Sequence, residues 1–355
     1  MEYTYILWSV YFIGLILVIL EQYQEKGNMI LLYCYAVLLV CVAGFRPIDG
    51  TLDTAMYFYC FEKLQDLSSI ISTGWKDMLP DVHIEYGYII FNIMLKTIVD
   101  EPYILILIIS CISVMAYYKV FVEVSPYPAL SFLCYCSTLY IFKDVVQIRN
   151  GIACSITLLA LFYLAKGKIK KYVCLILVGA SFHLVGLGGG LFYFLKKINW
   201  TRRKMLLCIA SSCVLLNIEW IYWFLYSVGD NTLVDLYRVT RYLNSDVATK
   251  AVSDYKMFAY LLLLFILGSK RDLYKDNIFN CFLGILAMGI VIHAGLHEFR
   301  ELADRFTSTF YTSLCVLIPI YVKNCRYKYF VLVVFSFALF LYYMRTVNWL
   351  LDPLQ

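Results

Sequence analysis

Charge is what this chain is short of. Only 15% of its 355 residues are Asp, Glu, Lys or Arg, against about 25% in soluble globular domains. With 62% hydrophobic residues and a mean hydropathy of +0.74, that scarcity excludes a soluble fold. Period-2 alternation of apolar and polar residues is lacking as well, which excludes a membrane β-barrel. Metal motifs are missing: there is no His-Glu-x-x-His, no Asp-x-Asp and no second Cys or His pair at zinc spacing. The N-terminus, MEYTYILWSV, has neither a basic leader nor a small-residue cleavage site, so no cleavable signal is expected. The net charge of +5 reports orientation in a bilayer and implies no nucleic-acid partner.

What is present is long apolar runs. They predict an all-α, polytopic integral membrane protein, because backbone groups in lipid must be satisfied within helices. Runs at 4–20, 29–44, 86–99, 103–122, 128–142, 146–165, 172–195, 205–228, 257–268, 278–296, 305–322 and 329–345 give about eleven or twelve hydrophobic segments. They read as one transmembrane domain over 1–355, with long polar loops at 45–85 and 229–256. Most of the thirteen Cys sit inside apolar runs, as Cys34, Cys41, Cys111, Cys208 and Cys281 do. There they read as small buried hydrophobes.

Lys and Arg set the orientation. KGKIKK (166–171), KKINWTRRK (196–204), SKRDLYK (269–275) and KNCRYK (323–328) are the basic loops and are assigned to the cytoplasm. Loop 229–256, the turn 297–304 and the C-terminus then face outward. Two difficulties follow. Segment 172–195 has Lys clusters at both ends, so it either crosses once or dips in and returns, with the Gly-rich run ASFHLVGLGGG making the bend and His183 at its tip. The count of spans also places the acidic loop 45–85 on the same side as Lys166, unless 86–99 or 128–142 does not fully cross.

Polar residues near apolar helices are functional candidates. In FRPIDGTLDTAMYFYCFE, 45–62, Arg46 follows a span, and Asp53 and Tyr57 are four apart on one helical face. A phosphate-binding Arg beside an acidic group competes there with a snorkelling Arg and a solvated loop. Arg149, with Gln147 and Asn150, reads either as a polar patch about a turn inside a helix or as a helix that begins later. His183 is either a satisfied core residue or a site residue at a re-entrant tip. In HAGLHEFRELADRF, 293–306, His293 and His297 have zinc-helix spacing without the motif, and the better reading is an Arg-rich external turn. Arg300 and Arg305 there are rigid donor forks suited to phosphate. Loop 229–256 adds Arg238 and Arg241 among Tyr237, Tyr242 and Tyr255, suited to sugars and phosphates or to an interfacial aromatic belt.

The order of these pieces resembles the EpsG-like, Wzy-type polysaccharide polymerase family. FRPIDGTLDTAMYFYCFE is similar to its Arg…Gly-Thr-Asp-Thr…Tyr segment, and IEYGYIIFNIML to its Glu-x-Gly-Tyr segment. VVQIRNGIACSITLLALFYLAKGKIKKY resembles its Arg-Gln-x-Ala helix and Lys-rich loop, SFHLVGL its Phe-His-x-Ser segment, and DRFTSTFYTSLCVLIPIY its late Arg helix. The likeness spans about residues 40–325. GTLDT carries one residue more than the family pattern, Asn150 replaces Gln, and Leu184 and Val185 follow His183 where the family has Ser.

The resemblance implies a GT-C-like helical fold in a bacterial inner membrane, with the active site on the periplasmic or outer face. It implies a membrane glycosyltransferase that transfers a growing glycan from undecaprenyl diphosphate to the next lipid-linked oligosaccharide repeat unit, as in O-antigen synthesis. No cofactor or metal is expected. A chain-length regulator and a flippase are the implied partner proteins. Arg46, Arg149 and Arg305 become diphosphate binders with Arg300 in reserve, and Tyr57, Arg238 and Arg241 line the substrate path. Asp53 or His183 is the base. The alternatives are a flippase for lipid-linked sugars, which calls for two related halves, and a membrane O-acyltransferase.

Overall fold

The computed structural model describes residues 2–23, 28–47, 52–73, 84–218, 220–221, 255–323 and 326–351. Every regular element among them is a helix, the form that satisfies its own backbone groups where no water can. Five helices are long and apolar enough to cross a membrane: Tyr3–Gln22, Pro102–Val124, Pro128–Val146, Ile148–Ala165 and Asn277–Gly295. Met29–Gly44, Leu184–Lys196 and Lys256–Ser269 are apolar but shorter. The described residues form two compact units, Met1–Gly190 with Leu314–Gln355, and Leu191–Ser313.

The first unit contains α1 (Glu2–Tyr23), α2 (Met29–Gly44), α3 (Leu52–Lys63), α4 (Leu67–Thr73), α5 (Tyr86–Ile98) and α6 (Pro102–Val124). Then α7 (Pro128–Tyr135) continues as a π-helix, Cys136–Val146, and is followed by α8 (Ile148–Ala165), α9 (Ile169–Phe182) and a 3₁₀ segment, Leu184–Leu191. In the π stretch the Gln147 N–H bonds to the Phe142 carbonyl, five residues back, at 3.0 Å.

Hydrogen bonds sort the helix ends of this unit into two groups. At one end, Arg46 just past α2 donates to the Asp144 carbonyl, and Arg149 in the first turn of α8 pairs with Glu85. The Leu184 N–H, just past α9, donates to the same Glu85. At the opposite end, Glu123 late in α6 pairs with Lys166 after α8. There the buried Glu21 carboxylate, near the end of α1, accepts from the Ala129 and Leu130 N–H groups at 2.9 and 3.2 Å. It caps α7, whose first turns carry amides with no partner inside their own helix.

This grouping answers both difficulties of the sequence. Glu85 at the start of α5 sits with Arg149, and the end of α5 runs through Val99–Glu101 into the start of α6, whose far end carries Glu123. Both ends of α5 therefore lie at the same end of the unit. The segment expected as a span at 86–99 does not cross, and thirteen residues of helix extend only about 20 Å. Within 45–85 the described residues are likewise not simply a polar loop, since they include α3 and α4. Buried Tyr57, Phe58 and Phe61 on α3 pack with Tyr88 and Leu95 of α5 and Leu105 and Ile106 of α6.

Segment 172–195 breaks where the glycines begin. α9 ends at Phe182 and His183 turns to extended backbone (φ −156, ψ 131). The 3₁₀ segment then runs back along α9, so that the Tyr172 hydroxyl, near the start of α9, donates to the Gly189 carbonyl at 2.7 Å. This is the dip-and-return arrangement, with His183 at the tip. The return stays close because Gly186 has no side chain. A Cβ there would stand 2.6 Å from the Ala180 nitrogen, which is backbone and cannot yield.

In the rest of the first unit, α15 (Leu314–Val322) packs on α7 and α16 (Arg326–Leu351) packs on the π-helix. Ser336 meets Ser137, and Phe340 stacks on Tyr11 at 4.1 Å. The second unit contains α10 (Phe192–Lys196), α11 (Arg202–Leu215), α12 (Tyr255–Ser269), α13 (Asn277–Gly295) and α14 (Arg300–Tyr311). The other four all pack against α13. The expected turn at 297–304 is shorter than supposed, because helix α14 already begins at Arg300. Among the cysteines singled out from sequence, Cys281 is buried, Cys41 and Cys208 are partly so, and Cys34 and Cys111 are exposed. Their helices present those faces outward, where a membrane protein meets lipid and an apolar thiol costs little.

Gly186→Ala is expected to lower stability by about 1–3 kcal/mol through backbone displacement, read as an earlier thermal transition of the purified protein in detergent. Gly190→Ala, where an added Cβ meets nothing within 4 Å, should leave the transition unmoved.

Candidate functional site

A guanidinium just past an apolar helix needs acceptors, and Arg46 finds them inside the protein. It is buried. Nε donates to Thr54 Oγ1 at 3.0 Å and Nη1 to the Asp144 carbonyl at 2.9 Å. Its Nη2 is buried with no hydrogen-bond partner among the described residues. A charged donor left idle is costly in a low-dielectric interior, so Arg46 is a candidate for an anion that enters from outside. The snorkelling reading does not hold, because the side chain turns into the protein.

Three residues beyond Thr54, on the same face of α3, Tyr57 leads to the second guanidinium. Arg149 lies over the Tyr57 and Tyr88 rings, 5.9 and 5.7 Å from their centres. Cation–π contact of this kind holds the planar group in place while leaving its N–H edge to bind. Burial pushes the Tyr57 hydroxyl up to about 12; the Asp53 carboxylate adds to the shift and Arg149 opposes it. Tyr57 therefore stays a neutral donor at any physiological pH. Because the π-helix runs to Val146, α8 begins only at Ile148. Arg149 thus stands in its first turn, not a turn inside it.

The partner of Arg149 is Glu85. The Arg149 Nη1 donates to Glu85 Oε2 at 2.7 Å. The other oxygen, Oε1, accepts from the Leu184 N–H at 3.2 Å and lies 3.9 Å from His183 Nδ1. The Val185 N–H in turn donates to His183 Nδ1 at 3.3 Å. This convergence depends on Gly87, where a Cβ would stand 2.6 Å from the Ser181 carbonyl oxygen. Glu85 comes two residues before Gly87, and His183 two residues after Ser181. The Glu-Tyr-Gly-Tyr and Ser-Phe-His segments are thus joined at their small residues, and their polar residues meet.

Beneath Arg46, Asp144 is fully enclosed in the π-helix. Its Oδ2 accepts from the Tyr135 hydroxyl at 2.7 Å and its Oδ1 from Ser113. Neighbouring Lys143 is buried and donates to Gln147 Oε1 at 2.9 Å. π-Helical turns recur at functional sites, and this one supplies the carbonyl that holds Arg46.

The first unit thus brings together Arg46, Tyr57, Arg149 and His183 from the sequence candidates, with Asp53 on the same helix as Tyr57. Glu85, Tyr88, Thr54 and Asp144 were not expected as site residues. The signal for Glu85 and Tyr88 was the Glu-x-Gly-Tyr spacing. The signal for Thr54 was its place as the closing Thr of the Gly-Thr-Asp-Thr pattern, and nothing in the sequence marked Asp144. Arg300 and Arg305 belong to the second unit, in α14; the side chain of Arg300 is outside the described residues, and so are Arg238 and Arg241. His293 and His297 serve different partners, Thr307 Oγ1 at 3.1 Å and the Ala294 carbonyl at 2.8 Å. Among the described residues no group of three or more His, Cys, Asp or Glu could hold a metal ion.

A family model describing the EpsG family matches residues 29–353. The chain belongs to the EpsG family. Arg46, Glu85, Arg149 and His183 all fall within the matched stretch. No curated protein and no solved structure matches the chain. Membership in the EpsG family, with the apolar helices, makes this a multi-pass membrane protein and is consistent with a role like that of a polysaccharide polymerase.

Asp144→Ala would leave the Ser113 and Tyr135 hydroxyls buried without an acceptor. The expected loss is about 1–3 kcal/mol of stability, measured as a lower thermal midpoint in detergent, whereas Ser113→Ala should cost distinctly less.

Proposed function

We propose that this EpsG-family protein polymerises a bacterial surface polysaccharide. The growing glycan leaves undecaprenyl diphosphate and is transferred to a sugar hydroxyl of the next lipid-linked repeat unit. The observation that carries this reading is the pair of guanidiniums bridged by one face of α3: Arg46 with an idle buried nitrogen, and Arg149 clamped over two aromatic rings. A diphosphate leaving group gains charge as its bond to the sugar breaks. Arg forks held in place by their neighbours stabilise that charge as it forms.

The reaction belongs on the outer face of the inner membrane. Lys166, Lys168, Lys170 and Lys171 lie at the end of the first unit opposite Arg46 and Arg149, and basic loops stay in the cytoplasm. The eighteen residues of α8 span about 27 Å, close to the thickness of a hydrocarbon core. α3, α4 and α5 then form a cap at the outer surface, where a lipid-linked sugar would enter. Asp53 and His183 flank the site on the acceptor side. Arg300, Arg305, Arg238 and Arg241 are proposed as substrate-binding residues in their own right.

The test is complementation of a strain that has a matched glycan cluster and lacks its own polymerase. Wild-type protein should restore a polymer ladder on a lipopolysaccharide gel. Arg149→Ala should collapse it to a single repeat unit, and Arg46→Ala should do the same. Arg149→Lys should also fail, because Lys has no planar fork to match the diphosphate. No ladder from membrane-inserted wild type with its matched glycan would sink the polymerase. Sidedness is checked separately. A single cysteine replacing Lys170 should react with an impermeant thiol reagent only from the cytoplasmic side, and one replacing exposed Tyr86 only from outside, in an otherwise cysteine-free chain.

A further inference from the structure

We infer that Glu85 is the general base of the transfer, held in check by Arg149 until the donor diphosphate arrives. The inference rests on the polymerase reading and assigns to Glu85 the role that the family resemblance implied for Asp53 or His183.

Three observations support it. First, Glu85 is the carboxylate in direct contact with Arg149, and its side chain is 24% exposed. It is reachable, unlike Asp144, which is 2% exposed with both oxygens already engaged by Ser113 and Tyr135. Second, its two oxygens have separate partners. Oε2 is bound by Arg149, while Oε1 is held by the Leu184 amide beside the His183 ring. Losing Arg149 leaves the carboxylate anchored by the amide, so it stays aimed at the site. Third, the position is built into the backbone. The close approach of Gly87 to Ser181 fixes where α5 begins relative to the His183 tip.

The chemistry follows from charge. While Arg149 holds Oε2, that oxygen is engaged and closed to the acceptor hydroxyl. A diphosphate is the stronger anion and takes the same guanidinium fork in a bidentate manner. Once it does, Arg149 releases Oε2, and that oxygen is open to accept from the acceptor hydroxyl. The acceptor hydroxyl then attacks the anomeric carbon of the donor sugar. The bond from that carbon to the diphosphate oxygen breaks, its electron pair stays on the diphosphate against Arg149 and Arg46, and the hydroxyl proton passes to Glu85 and on to water. The base is thus active only when the donor is seated, which protects the glycan from premature loss. His183, beside Oε1, orients the acceptor hydroxyl.

The experiment compares wild type, Glu85→Gln and Glu85→Asp in nanodiscs, measuring polymer formation and, separately, binding of undecaprenyl diphosphate. Gln keeps the shape and the bond from the Leu184 amide but cannot take a proton. Polymer formation by Glu85→Gln should fall roughly 10²–10⁴-fold, the usual worth of a general base, while undecaprenyl diphosphate binds at least as tightly as to wild type, its internal competitor having gone. Polymer within threefold of wild type would overturn the assignment. Loss of undecaprenyl diphosphate binding in a monodisperse Glu85→Gln protein would also overturn it, since Glu85 would then be only a prop for Arg149. Should Glu85→Gln aggregate, Glu85→Asp decides. Unchanged binding with slowed polymerisation supports the base, and wild-type polymerisation or lost binding refutes it. A wild-type protein that makes no polymer overturns the polymerase reading and this assignment with it, whereas normal wild-type polymer with an active Glu85→Gln overturns the base alone.

Discussion

A guanidinium that leaves an apolar helix and turns inward must be met by acceptors there, and the first unit is arranged around that requirement at Arg46. Its bonds to Thr54 and to the Asp144 carbonyl tie α2, α3 and the π-helix together. Inside lipid no apolar driving force pulls helix onto helix, so such polar ties and close-packed small residues have to set the arrangement. The Arg46 ties are anchored in turn by Asp144, whose carboxylate is gripped by α6 through Ser113 and by α7 through Tyr135. Five segments therefore converge on one pair of residues. The same buried chain leaves one nitrogen of Arg46 idle, so the structural knot is also the place where an anion gains most.

A second constraint is the approach of two backbones where side chains are absent. Gly87 brings α5 onto the end of α9, and Gly186 lets the chain return along α9. The first contact delivers Glu85 to Arg149 and His183. The second makes His183 a tip instead of the middle of a span. Neither glycine carries any chemistry. Each moves a reactive neighbour by the thickness of one methyl group, which is the scale on which hydrogen bonds form or fail.

Much of this was legible beforehand. Arg46, Asp53, Tyr57, Arg149 and His183 stood out as polar residues beside apolar runs, and their order, with the Glu-x-Gly-Tyr spacing at Glu85 and Gly87, carried the family resemblance. The Lys clusters at both ends of 172–195 had made a returning segment one of two readings. What misled was length. Residues 86–99 are apolar enough to read as a span, yet α5 caps one end of the unit, because its start is pinned to Glu85's partners and its end leads into α6. The stretch 45–85 read as a loop because its apolar residues are few, but Tyr57, Phe58 and Phe61 bury against other helices and make α3 a packed element.

Composition and order of residues by themselves determined the class of this protein: a chain with so little charge and such long apolar runs has to be helical in a membrane, since only helices and closed barrels satisfy the backbone there and continuous apolar runs lack a barrel's alternation. Lys and Arg in short loops set the orientation to expect. Only the tertiary structure decided which polar residues are partners. Glu85 and Arg149 are 64 residues apart in the chain and Arg46 and Asp144 are 98 apart. Pairing at such distances is set by how helices pack, through glycine contacts, a π-helical segment and a broken helix, and local pattern carries no record of it.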